Sequence, residues 1–387
     1  MKPFENFPFI NAIDRSVLLA GLLSAIVRPI LPTCLAIAFD APVQGSGKTL
    51  LATCLGALSL GRTPSVHPHT SLKMKGADDE IRKLILSDLM SGERIMIWDN
   101  ILGVFSSSAL ASILTSSIMH GRVLGASKTV HVENKMLFIL TGNNLCFAGD
   151  MPRRVLTCGI DPKMANPVAR SFEIEPLNYV LTHREKMVTA SLTIIRGWFS
   201  SIEYKNKKKA SGRMASFENW DDLVRQPIAW ISEHVLPEQY DDVMDAIIEA
   251  QNNDPEQEIL LDLIKALKRL FGGELFMAKD VVDKMTYNSE ILEAIEAISS
   301  TYRSNTKPNT KQVGWILKNR KGKIIDGLSI IYVKNIKKVK SYRIEDTNDN
   351  LEVLSNKRNL FGFSPVPPKA PPPPPPPVLK PVPPQSG

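Results

Sequence analysis

Gly45, Ser46, Gly47, Lys48 and Thr49 close the segment APVQGSGKT at residues 41–49, and their types and spacing suit the holding of a triphosphate. Two residues without a Cβ let the backbone curl around a phosphate, and Ser46 completes a ring of amide donors. Lys48 supplies a point charge for the β- and γ-phosphates, and the Thr49 hydroxyl is a Mg²⁺ ligand beside phosphate oxygens. Such a loop works only between a strand and a helix N-terminus, where backbone N–H groups converge on one anion. The flanks meet that need: the apolar run Leu35 to Phe39 precedes the loop and the helix-like run Leu50 to Leu60 follows it. Pro42 stands where the usual G-x-x-x-x-G-K-[ST] pattern has its first glycine. The segment predicts a P-loop that binds ATP with Mg²⁺.

Three further positions extend this chemistry. Arg94 to Asn100 reads as an apolar strand ending in Asp99, the Walker B arrangement, which makes Thr49 and Asp99 the expected metal-holding pair. A second strand, Met136 to Leu140, ends in Thr141-Gly142-Asn143-Asn144. An amide there suits the sensor-one role toward the γ-phosphate and attacking water, Asn143 first and Asn144 second; a Gly-Asn-Asn turn is the competing reading. Arg153 and Arg154, just before the strand Leu156 to Ile160, suit an arginine finger, Arg154 foremost, offered to a neighbouring subunit's γ-phosphate. A residue acting in trans requires an oligomer, and a heterologous contact of this kind closes into a ring.

The elements that must carry these residues follow from patterning. Ser16 to Val27 predicts a buried helix leading into the first strand; at about half a spanning length and ending in Arg28-Pro29, it is no membrane span. Ala77 to Met90 has helical spacing. The expected class is α/β: a P-loop ATPase core over 1–180, a helical lid over 181–252, a winged-helix-like basic domain over 253–346, and a linker with a proline-rich tail over 347–387. Cys34, Cys54, Cys146 and Cys158 lack zinc or disulfide-framework spacing, which predicts structural thiols in a reducing cytoplasm.

The order APVQGSGKT, MIWDN, RVLGASKTVHVENK, FILTGNN and MPRRV resembles the AAA+-like, superfamily-three-type ATPase and helicase modules of phage and mobile-element primase–helicase proteins. The likeness covers most of the chain except its proline-rich end, and no primase half is present. It implies a ring, expected to be hexameric, and a separate primase or replication protein as a further partner. It also implies a β-hairpin before the sensor-one strand that grips single-stranded DNA. Here Val123-Leu124 and Thr129 to Val132 would form that hairpin, with Lys128 at its tip and His131 and Lys135 as weaker contacts. One position departs from the pattern: Asn100 stands where many such ATPases place a second, water-activating acid. Loss of a general base costs about 10²–10⁴ in rate, so slow hydrolysis is expected unless Asn100 and Asn143 position the water.

Charge points to the second partner. Residues 303–343 hold twelve Lys or Arg against one acid, Asp326. A run of helices from Glu256 to Asn319, followed by strands at Lys323 to Ile325, Leu328 to Val333 and Val339 to Ile344, suggests a winged helix. Lys311, Lys318, Arg320, Lys321 and Lys323 would lie on or after its recognition helix, and Lys337 and Lys338 on its wing, all as DNA contacts. Pro371 to Pro377 predict an extended polyproline II tail. Two functions are expected: an ATP-dependent DNA helicase or translocase acting as a ring in phage or mobile-element replication, or an ATP-dependent DNA-binding switch or loader that assembles without unwinding.

Overall fold

The computed structural model describes residues 1–68, 76–123, 129–164, 167, 173–210, 212–300, 308–334 and 340–346, with backbone alone at 299, 300 and 334. Lys128, Lys337, Lys338 and the proline-rich tail lie outside the described residues. The chain divides into two compact units, Met1–Leu260 and Leu261–Gly387.

Unit 1 is a mixed α/β unit built on a parallel sheet. Its strands are β1 (Ala36–Ala41), β2 (His67–Pro68), β3 (Ile95–Phe105), β4 (Ile118–Arg122), β5 (Thr129–Glu133), β6 (Leu137–Phe147) and β7 (Val155–Gly159). Five of them form a sheet in the order β2-β3-β6-β1-β7, each neighbour parallel. Helices covering a parallel sheet bury both faces of its strands, so they read as continuous apolar runs rather than alternating ones; Ala36–Phe39 and Ile95–Trp98 are all buried. β6 lies between β1 and β3, although it follows β3 by more than thirty residues. That crossover brings three distant segments to one end of the sheet.

The helices are α1 (Ala12–Val27), α2 (Lys48–Leu60), α3 (Ala77–Met90), α4 (Ser108–Leu114), α5 (Pro176–Thr182), α6 (Arg184–Ser200), α7 (Ile202–Lys205), α8 (Glu218–Trp220), α9 (Gln226–His234) and α10 (Met244–Asn252), with a π turn at Asp221–Arg225. Asn11 and Asp14 form a reciprocal capping box that starts α1. The residues after 181 form a helical region, α6 to α10. It is anchored on α1 by Trp220, whose indole donates to Ser24 Oγ at 2.8 Å, and by the Asp241 N–H, which donates to Ser16 Oγ at 2.8 Å. Arg225, 1% exposed, pairs with both Asp221 and Asp242, so a buried charge is matched on two sides.

β3 and β6 both run longer than their apolar patterns predict. Asn100 (φ 61°), Gly103 (φ 71°) and Asn144 (φ 49°) are left-handed, and the β3–β6 register shifts between Trp98 and Ile101. Seven residues of straight strand span roughly 23 Å, yet the Trp98 and Phe105 rings are 6.2 Å apart. β3 therefore folds back between Trp98 and Phe105, across the two left-handed residues Asn100 and Gly103. Gly142 allows it, because a Cβ there would meet the Ile101 carbonyl oxygen at 2.5 Å.

β4 and β5 pair antiparallel, Ile118 with Glu133 through Arg122 with Thr129. The expected hairpin is present, but its first strand occupies 118–122 rather than 123–124. All four cysteines are free; three are buried and Cys146 is half-buried. Among the described residues no helix is long and apolar enough to cross a membrane.

Unit 2 contains α11 (Pro255–Phe271, which begins before the division), β8 (Phe276–Met277), α12 (Ala278–Met285), α13 (Ser289–Ser300), α14 (Thr310–Arg320), β9 (Ile324–Ile325), β10 (Leu328–Lys334) and β11 (Lys340–Asp346). Its antiparallel sheet has the order β8-β11-β10-β9. Leu263, Ile264 and Leu267 supply helical spacing to a core shared with Phe276, Val281, Ile316, Ile330 and Tyr342. Phe276 stacks on Phe271 with ring centroids 4.6 Å apart.

Candidate active site

The loop at 42–47 connects β1 to α2 at the carboxyl end of the sheet. Gly45 (φ 74°) and Gly47 (φ 102°) are its left-handed residues, and Pro42 is not among the positive-φ positions. This explains how the loop tolerates the missing first glycine. At Gly47 a side chain is doubly excluded, since a Cβ would also stand 3.0 Å from the Phe7 ring. Ser46 Oγ donates to the Val43 carbonyl at 2.7 Å, closing the loop on itself. Lys48 bends over it and donates to the same carbonyl at 3.1 Å. Lys48 is 8% exposed; burial lowers its pKa while Asp40 and Asp99 oppose that shift.

Thr49, on the first turn of α2, donates its hydroxyl to Asp99 Oδ1 at 2.7 Å. Thr141, on β6, donates to the same oxygen at 2.5 Å and accepts from the Asn100 N–H at 3.2 Å. A hydroxyl from the helix, a carboxylate from β3 and a hydroxyl from β6 thus converge on one point beside Lys48. Two oxygen donors, Thr49 and Asp99, meet at a glycine-lined loop, and that set suits a hard cation such as Mg²⁺.

Thr141 is a site residue that the sequence reading missed. Its signal was its place at the end of an apolar strand, but the contact that gives it a role spans 42 residues. Asn143 lies two residues further along β6, on the same face as Thr141 by strand alternation, opposite Ala41 and Leu102. It is half-buried, whereas Asn144 is exposed and left-handed. The Thr141–Asn144 stretch lies within β6, not in a turn after it.

Asn100 has a local reason. At φ 61° an L-residue is unfavoured, and Asn is among the few side chains that tolerate it. A glutamate would carry strain at this bend.

Arg154 is not presented to solvent. It is 8% exposed and donates to the Ala111 carbonyl and to Thr115 Oγ1 (3.2 Å) on and after α4, while pairing with Asp150. The expected finger arginine thus joins α4 to β7 in this chain. Its neighbour Arg153 has a side chain 48% exposed and pairs with Asp150. His131, exposed, lies opposite His120 on the hairpin with rings 4.3 Å apart, and Lys135 donates to the Leu31 carbonyl at 3.3 Å. In unit 2, Lys311, Lys318 and Lys321 are exposed, and Arg320 and Lys323 are half-buried.

A cavity of about 260 Å³ opens at the carboxyl ends of β1 and β7, lined by Asp14, Asp40, Leu145, Gly159 and Glu249 among others. Burial raises the Asp14 carboxyl from 3.8 to about 6, with Glu249 adding to the rise and the Gly159, Asn11 and Ile10 amides opposing it. The native state therefore holds this proton more tightly than the unfolded chain. Its contribution is fully favourable below pH 3.8 and is lost as pH rises through about 6, a decline of about 3 kcal/mol. We expect Asp14→Asn to remove this slope from urea unfolding measured between pH 4 and 7; an unchanged slope would contradict the assignment.

No protein family and no curated protein matches the chain. Among solved structures, it is similar to the A form apo structure of the NrS-1 C-terminal region, at 14% identity and a TM-score of 0.38, covering 89% of this chain and 78% of that one. A second A form apo structure of that region, residues 305–718, is similar at 13% identity and a TM-score of 0.36, with the same coverage.

Proposed function

We propose that the chain is a P-loop, AAA+-like ATPase that acts on DNA as a ring oligomer, a helicase or translocase in phage or mobile-element replication. The observation that carries this reading is the convergence of Thr49 and Thr141 on Asp99 beside the buried Lys48. Lys48 and the loop amides would hold the ATP phosphates, with Thr49 and Asp99 holding Mg²⁺. The bound Mg²⁺–ATP supplies an electrophilic γ-phosphorus and a leaving diphosphate. Thr141 fixes the Asp99 carboxylate, and Asn143 orients the water. Arg153, as the solvent-facing arginine of its pair, is the better candidate to reach a neighbouring site. Unit 2 would bind DNA as a winged helix: its helices α12 to α14 precede the β10–β11 hairpin, and β8 pairs with β11, which supports that reading.

A strand-displacement assay tests it. Wild type is expected to separate a tailed duplex with ATP, and Lys128→Ala to displace less while still hydrolysing ATP. Equal displacement by the two would remove Lys128 from the channel, and none by either would leave the second reading. That reading, an ATP-dependent DNA-bound switch or loader, is favoured by one observation: the residue that follows Asp99, at the left-handed bend, is Asn100 and not a second acid.

A further inference from the structure

Helix α14 carries a large aromatic side chain in the middle of its basic face. Val313, Ile316 and Leu317 form its buried side. Lys311, Trp315 and Lys318 are exposed and spaced i, i+4, i+7, so they line one stripe of two turns, roughly 10 Å long. Trp315 is 46% exposed. The helix sequence TKQVGWILKNR contains no acid, so the charged residues of this stripe are both cationic. A second pairing of cation and aromatic ring lies just beyond the helix, where Lys321 Nζ stands 5.3 Å from the Tyr332 ring centroid and Tyr332 is 38% exposed. Lysines alone would serve an electrostatic contact to phosphates. The partly exposed indole between them adds a flat aromatic surface that a base can stack on.

We infer that Trp315 is a base-stacking residue and that this face of unit 2 takes DNA presenting an unpaired base, as in a single strand or at its junction with a duplex. The inference rests on the DNA-binding reading above and names the class of DNA. In a duplex each base face is covered by its neighbours, so an indole reaches one only by unstacking a step. In a single strand the face is open, and stacking is indifferent to base identity because every base has one. Lys311 and Lys318, one on either side of Trp315 along the helix, would hold the flanking phosphates.

The test uses the full chain without nucleotide, with anisotropy measured on a labelled single-stranded oligonucleotide and on its duplex. Trp315→Ala is expected to weaken single-strand binding by about tenfold or more and duplex binding by less than about twofold. Trp315→Phe should retain most of the single-strand affinity, and Lys311→Ala should weaken both substrates and lower the salt slope by about one. Equal losses on both substrates, or an unchanged single-strand affinity, would overturn the inference alone. So would a Phe variant as weak as the Ala variant with both melting early, because that marks a structural role. If wild type binds neither substrate, the DNA reading falls and the inference falls with it.

Discussion

Lys48→Ala is expected to abolish measurable ATP turnover and to weaken ATP binding by roughly 10–150-fold, while leaving the protein folded. A hydrogen bond to a charged group contributes about 1.5–3 kcal/mol, which sets the range for binding. The loss of turnover is larger, because in the proposed reaction the ammonium would also stabilise charge that develops during phosphoryl transfer, and removing one such preorganised donor costs about 10²–10³. Stability should be little changed. Lys48 is held in a site where burial lowers its pKa, and its hydrogen bond is to the Val43 carbonyl of its own loop. Calorimetric titration with ATP, phosphate release and a thermal melt together check the prediction. Full turnover in the variant would mean that the loop does not hold the reacting phosphates.

The second large effect is expected at Asp99. Its Oδ1 accepts from both Thr49 and Thr141, so Asp99→Asn keeps the shape but removes the charge that a divalent cation needs. Turnover should fall by at least about 10², on the scale of losing one preorganised electrostatic group. ATP binding in chelator should be unchanged, whereas the gain in affinity on adding Mg²⁺ should disappear. Titrations of both proteins with ATP, in EDTA and in Mg²⁺, separate the two terms. A variant that still binds ATP more tightly in Mg²⁺ would place the cation elsewhere.

The parts of this site that were legible in the sequence are those written locally. Gly45 to Thr49 announced a loop because glycine and a following helical period leave few alternatives, and Asp99 was visible as the polar end of an apolar run. Thr141 was not, since its role comes from the insertion of β6 between β1 and β3, a pairing that no local pattern records. The burial of Arg154 was hidden for the same reason. Two adjacent arginines before a strand look exposed, and only the distant α4 contacts at Ala111 and Thr115 place one of them inside. Asn100 was read as a missing acid. The structure adds that the residue occupies a left-handed bend, where the backbone restricts the choice of side chain. The β4–β5 hairpin was foreseen with its first strand late, because Ile118-Met119-His120 lacks the alternation that marks a strand.

The proposed coupling of ATP hydrolysis to DNA is tested most directly by the rate of ATP hydrolysis with and without single-stranded DNA, measured on the full chain with Lys48→Ala as background. The expected result is a wild-type rate that rises several-fold with single-stranded DNA and falls to background in the variant. A wild-type protein that hydrolyses ATP at the same rate with and without DNA would contradict an ATPase that works on DNA.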